Sequence, residues 1–170
     1  MLAALAVGHV LGLAPSEMAP GLDDPSIQIH LRRLPGWNGS LLLDDTYNAT
    51  TASVLAGLGV LESSRASRTI AVLGDMLELG SLAEEEHRAV GRRAARAVDL
   101  LVTYGALAGL IADEAATTTS NVTRFRADER MQVVEFLRGL LQPGDAVLFK
   151  GSRSLRMEEF VEALSAAATA

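Results

Sequence analysis

Short apolar runs alternate along most of this chain with longer segments whose apolar residues recur every three or four positions. "SIQIHLRRL", residues 26 to 34, sets Ile27, Ile29, Leu31 and Leu34 among polar residues, with a break in period at Arg32 and Arg33. It predicts a strand exposed on one side. "PGWNGS" is turn-rich, so the next run, "LLLDD", is expected to return antiparallel to it. Val54, Leu55, Leu58 and Leu61 then repeat at helical spacing, and "RTIAVLG" is a continuous apolar strand of the kind buried on both faces. Ser81 and Glu84 have capping-box spacing, and "EEEHRAVGRRAARA" runs acidic to basic, as a helix dipole favours. The alternation continues with strands at "DLLVTYG", "NVTRF" and "DAVLFKG", separated by the helical segments "ALAGLIADEAA" and "ADERMQVVEFLRGLL". Met157, Phe160, Val161 and Leu164 mark a last helix.

Strands separated by helices of this length pair in parallel through right-handed crossovers. The expected fold is α/β: a doubly wound, mostly parallel Rossmann-like sheet with one antiparallel hairpin strand, preceded by two short helices. The leading "MLAALAVGHVLGLAP" lacks the basic start of a signal peptide and is shorter than the roughly 20 apolar residues that span a bilayer. It is expected to be an Ala/Leu-rich helix packed on the rest of the protein. Pro15 opens a second helix through Met18, which "GLDDP" closes, and the composition shifts near Asp23 to Pro25.

At 170 residues, 49% hydrophobic and 21% charged, the chain can bury a sizeable core. A net charge of -6 speaks against a broad nucleic-acid surface. The absence of cysteine removes disulfides, thiolate zinc sites and cysteine nucleophiles, and fits a reducing cytoplasm. The chain has no GxxxxGK[ST] phosphate loop, no GxGxxG after a strand and no GxSxG elbow. His9, His30 and His87 have no metal-ligand spacing, and His87 is expected to be a surface or packing residue.

In a doubly wound sheet, ligands collect outside the carboxyl ends of the strands. Three strand ends here carry unusual polar residues: "DDTYN", "GDMLELG" and "KGSRS". If the strands lie close together, the three loops share one rim. Asp44 and Asp45 suit a ribose hydroxyl or a hydrated cation, and equally suit turn formation or helix capping. Met76, Leu77 and Leu79 read either as an apolar substrate wall or as a loop folded onto the core. Lys150, Gly151, Ser152 and Arg153, just before a helix start, suit a carboxylate or phosphate, or plain solvated charge.

"LLLDDTYNA", "IAVLGDMLELG", "EEHRAVG" and "VLFKGSRSLRMEEFVEAL", in this order and spacing, closely resemble the C-terminal domain of the Mur ligase family, from about Ile29 to Leu164. The branch resembled adds D-alanyl-D-alanine to UDP-N-acetylmuramoyl-tripeptide in peptidoglycan synthesis. The resemblance implies a fragment: residues 1–25 as the helical tail of a central ATP-binding domain, and residues 26–170 as the C-terminal domain. It implies a cytoplasmic enzyme using ATP and magnesium to form an acyl phosphate that an amine then attacks. The phosphate loop, the magnesium ligands and the catalytic residues would lie in the missing N-terminal and central domains. No catalytic residue, no metal site and no tightly bound cofactor is expected in this chain, nor a nucleic-acid or membrane partner.

Carried across by resemblance, Asp45 would face the ATP ribose, with Tyr47 and Asn48 beside the nucleotide. Asp75, Met76 and Glu78, with Lys150, Gly151, Ser152 and Arg153, would line the substrate side, where Lys150 or Arg153 would pair with the dipeptide carboxylate. Two departures stand out. Ile29 and His30 occupy the place of the family's Gly-Arg, with Arg32 two residues on. Thr50 and Thr51 replace its Asn-Pro, with Thr51 as the candidate helix cap. The alternative reading is a stand-alone, non-catalytic nucleotide- or peptide-binding module of Rossmann-like fold, and a further one is an interaction domain using the apolar "MLEL" loop as a partner patch.

Overall fold

The computed structural model describes residues 2–22 and 31–166. The expected strand residues Ile27, Ile29 and His30, and the boundary near Asp23 to Ser26, lie outside the described residues. Among the described residues, six strands form one sheet: β1 (Arg32–Pro35), β2 (Leu41–Asp44), β3 (Arg68–Gly74), β4 (Leu100–Tyr104), β5 (Val122–Phe125) and β6 (Asp145–Lys150). Their order is β1-β2-β6-β3-β4-β5. The β1–β2 hairpin is antiparallel, pairing Arg32 with Asp44, and every other neighbour is parallel. The fold is the expected doubly wound α/β sheet with one antiparallel edge strand.

The alternation of side chains along each strand divides the core into two layers. On one face, Leu43, Ala71, Leu73, Leu101, Ala146 and Leu148 meet α3 (Thr51–Glu62), α4 (Ala83–Ala97) and α5 (Ala108–Ala115). On the other, Leu42, Ile70, Val72, Val102, Val147 and Phe149 meet α6 (Arg130–Leu140) and α7 (Glu158–Leu164). β6 is buried at every position because it has a neighbour on each side and helices above and below. This explains the continuous apolar run of residues 146–149, between the buried charges of Asp145 and Lys150.

Two caps differ from expectation. Thr50, not Thr51, is the N-cap of α3: its hydroxyl accepts from the Ser53 N–H while the Ser53 hydroxyl accepts from the Thr50 N–H. That reciprocal box leaves Thr51 as the first helical residue. At α4 the Ser81 and Glu84 box does not form, because Gly80–Leu82 closes a 3-10 turn and Leu82 takes the cap position with no side-chain bond.

The leading helices are α1 (Leu2–Val10) and α2 (Pro15–Leu22), the second running past the expected end at Met18. Gly8 is buried against Met18, whose sulfur fills the space a Cβ would take, so α1 and α2 pack on each other. The expectation that α1 packs on the rest of the protein is not met on its outer face, where Val7 is 59% and Val10 84% exposed. Among the described residues, no helix is long and apolar enough to cross a membrane.

Candidate functional site

β2, β6 and β3 are adjacent and parallel, so the "DDTYN", "KGSRS" and "GDMLELG" loops leave the sheet from one rim, with the β6 loop in the middle. The backbone is tight there. A Cβ on Gly151 would lie 3.1 Å from the Gly74 Cα, so the two outgoing turns touch through paired glycines. A larger residue at Gly151 would first meet the Met157 sulfur and would then press on the Gly74 backbone.

The adjacent acids after β2 have separate tasks. Asp44 receives the Arg32 guanidinium at 2.5 Å through one oxygen, and the Thr46 hydroxyl at 2.7 Å and the Thr46 N–H at 3.2 Å through the other. It therefore closes the hairpin and forms the turn. The Asp45 carboxylate lies 2.7 Å from the Lys150 ammonium. Tyr47 and Asn48 follow as exposed residues on the rim.

The "GDMLELG" loop divides residue by residue between the two readings of it. Met76 is fully buried in the core, whereas Leu77 is 39% exposed. Asp75 is buried and accepts from the Ala108 N–H at 2.6 Å, tying the loop to the start of α5. At Glu78 (φ 66°) and Gly80 (φ 55°) the chain enters the left-handed region, which is uncommon for a glutamate. That reversal leaves Leu77 and Glu78 exposed at the rim.

Around the third loop, Lys150 is 1% exposed, with its stem running along Gly57 of α3. Arg153 is its opposite: its side chain is 65% exposed, its guanidinium stands 5.7 Å from the Tyr47 ring centre, and Glu158 lies 3.8 Å away. A cavity of about 420 Å³ opens between Asn48, Leu77, Glu78, Ser152, Arg153 and Ser154. A second, of about 320 Å³, is lined by Tyr47, Asn48, Ala49, Thr50, Ser53 and Lys150. Asn48 borders both, so the two cavities adjoin as a two-part cleft; of the residues carried across by resemblance, Asp45, Asp75, Met76 and Gly151 line neither half, and Lys150 lines the half with Tyr47. Among the described residues, no group of three or more His, Cys, Asp or Glu side chains is placed to hold a metal ion.

Two further residues support the loops: His87, expected as a surface or packing residue and found packed, and Arg130, which the sequence did not single out. His87 is completely buried; its Nε2 accepts from the Met76 N–H at 3.0 Å, and its Nδ1 lies 2.6 Å from the Ala83 carbonyl. The Nδ1–H tautomer satisfies both contacts and braces the "GDMLELG" loop from below. Its signals in sequence are its place on the buried face of α4, with Val90 and Ala94, and its membership of the "EEHRAVG" motif. Arg130 donates to the Leu155 and Arg156 carbonyls at 2.9 and 2.7 Å, closing the turn that follows Arg153. No motif in the sequence marks it.

The curated relatives of this chain include the UDP-N-acetylmuramoyl-tripeptide--D-alanyl-D-alanine ligases of Bacillus subtilis and Escherichia coli. The first is 32% identical over 166 residues, covering 96% of this chain and 36% of the relative. The second is 34% identical over 171 residues, covering 93% and 36%. Similar solved structures include MurF from Acinetobacter baumannii, with a TM-score of 0.76 and 26% identity over 93% of this chain and 35% of that one. MurF ligase from Thermotoga maritima, in complex with ADP, has a TM-score of 0.67 and 26% identity, covering 94% and 35%. The chain thus spans about a third of the length of these relatives. The sequence pattern of the "Mur ligase, glutamate ligase domain" matches residues 31–153, most of the chain, and on that match the protein belongs to the Mur ligase family.

Proposed function

We propose that this chain is the C-terminal substrate-binding part of an ATP-dependent ligase that joins D-alanyl-D-alanine to UDP-N-acetylmuramoyl-tripeptide in peptidoglycan synthesis. Residues 1–25 would be the tail of the central, ATP-binding domain and residues 26–170 the C-terminal domain. The reading is supported by relatives of that printed activity and by the two-part cleft, whose halves meet at Asn48. In the reaction, the γ-phosphoryl group of ATP passes to the peptide carboxylate, releasing ADP. The dipeptide amine then forms the carbon–nitrogen bond as the carbon–oxygen bond to phosphate breaks, and the amine loses a proton. Magnesium would neutralise charge on the transferring phosphoryl group, held by residues beyond this chain.

Within that scheme Asp45, Tyr47 and Asn48 face the nucleotide. Glu78 and Arg153 bring opposite charges to the other half of the cleft, suited to a zwitterion carrying one ammonium and one carboxylate. The exposed face of Leu77 offers a wall to small apolar side chains. Asp75 and Met76 hold the loop, since one caps α5 and the other is in the core. The chemistry asked of this chain is positioning: holding the amine against the acyl carbon converts an encounter into a near-unimolecular step.

Steady-state kinetics of Arg153→Ala in the intact ligase test the assignment. The expected result is a KM for D-alanyl-D-alanine raised about tenfold or more, for the loss of one charge-assisted pair. An unchanged KM for the dipeptide overturns it. The isolated 170-residue chain is expected to show no ligation and no ATP turnover, because it carries no phosphate loop. Robust ATP hydrolysis by this polypeptide refutes the fragment reading in favour of a self-sufficient module.

A further inference from the structure

Lys150 and Ser152 were both natural candidates for touching substrate, and their surroundings in the fold argue for a different task. An ammonium has three N–H donors and no acceptor. Three oxygens lie around the Lys150 Nζ: the Asp45 carboxylate at 2.7 Å, the Asn48 carbonyl at 2.9 Å and the Asp45 carbonyl at 3.4 Å. With 1% of the residue exposed, no donor remains for an incoming carboxylate. All three oxygens belong to the loop after β2. Ser152, two residues on, serves the opposite neighbour: its hydroxyl accepts from the Leu77 N–H at 2.8 Å, and its own N–H donates to the Asp75 carbonyl at 2.9 Å. Both contacts belong to the loop after β3.

The geometry points to Lys150 and Ser152 as a two-sided latch at the end of β6, each a positioning residue for one half of the cleft. Lys150 sets the Asp45–Asn48 turn for the nucleotide, and Ser152 sets Leu77 and Glu78 for the amine component. The naming of those ligands rests on the proposed function; the latch itself rests on contacts alone. The central place of β6 makes the arrangement possible, since only a strand between β2 and β3 can reach both loops from one end. Arg153 is then the cation of "KGSRS" left to touch substrate. The two glycines at the crossing hold the end of β6 close to the end of β3.

The test separates the two sides. In the intact ligase, Ser152→Ala is expected to raise the KM for D-alanyl-D-alanine several-fold with the KM for ATP unmoved, and Lys150→Met to raise the KM for ATP about tenfold with the dipeptide KM unmoved. Lys150→Gln, which restores two N–H donors, should recover part of that loss, and it carries the comparison if Lys150→Met does not fold. A Lys150 substitution that raises only the dipeptide KM overturns the inference, as do variants that shift both constants alike. Hydrogen exchange on the 170-residue chain tests the latch without any activity. Ser152→Ala should speed exchange at residues 76–78 and not at 45–49, and Lys150→Gln should do the reverse. Uniform protection changes in both variants overturn it. A wild-type intact protein that consumes no ATP in the presence of the dipeptide sinks the proposed function, while the exchange pattern still decides the latch.

Discussion

Tyr104, at the end of β4, shows how much a single buried polar group can contribute. Its ring meets Phe160 edge to face at 5.0 Å, and its hydroxyl donates to the Ala127 carbonyl at 2.5 Å. Burial pushes its phenol above the ordinary value of 10.0, against the opposing pull of the Arg130 guanidinium. The neutral form is the one the fold favours, so its contribution is fully present below the unfolded phenol's pKa and is lost as pH rises through the raised folded value. Tyr104→Phe is therefore expected to cost about 1 kcal/mol near neutral pH, the worth of one hydrogen bond. The same variant should lose less stability than wild type on going from pH 9 to 11, as measured by urea denaturation. A parallel decline in both proteins counts against this origin. Lys150 marks the limit of what single residues disclose in sequence. A lysine ending an apolar strand is spelled the same whether it reaches solvent or turns inward, and the carbonyls that hold it come from 102 and 105 positions away. The division between Met76 and Leu77 was similarly hidden, because both are apolar and only the fold separates core from rim.

Elements were far more legible, because periodicity is a property of many residues at once. The strands β2 to β6 and the helices α3 to α7 were foreshadowed by their apolar spacing, with departures at their ends, where one cap box formed a residue early and another did not form; β1 was not, since it runs over Arg32–Pro35, where the apolar period breaks. Packing between elements was not visible, and the helix glycines show why. In isolation each exposed helical Gly→Ala change stabilises by roughly 0.5–1 kcal/mol, through backbone entropy. A Cβ added at Gly59 in α3 would meet nothing within 4 Å, so Gly59→Ala should raise the thermal midpoint. Gly91 in α4 faces α5 so closely that a Cβ would lie 2.5 Å from the Ile111 carbonyl oxygen. Gly91→Ala should instead lower stability by about 1–3 kcal/mol, since backbone rather than a flexible side chain must yield. Opposite signs for the two variants in differential scanning calorimetry are the expected outcome, and a rise in both would show that α4 and α5 can move apart freely.

At the scale of the whole molecule, the sequence announced a parallel sheet but not the insertion of β6 between β2 and β3, a long-range choice that placed all three loops on one rim. The leading helices are the part of the molecule this sheet explains least. Among the described residues, neither core layer takes a side chain from α1 or α2, and Val7, Val10 and Leu11 are 59%, 84% and 72% exposed. A contiguous exposed apolar face is unusual for a helix in a finished monomer. The proposed assignment of residues 1–25 to another domain would account for it, because the covering surface would then belong to that domain. Removing residues 1–22 should accordingly leave the thermal midpoint within about 2 °C, since a loss of 1 kcal/mol in a domain of this size moves it by about 2–4 °C. The same deletion should reduce binding of a hydrophobic fluorescent dye. A fall of more than about 5 °C would mean instead that the helices contribute more than 1 kcal/mol to the sheet domain, and that their exposed face is the outer side of a packed layer rather than a surface made for a missing neighbour.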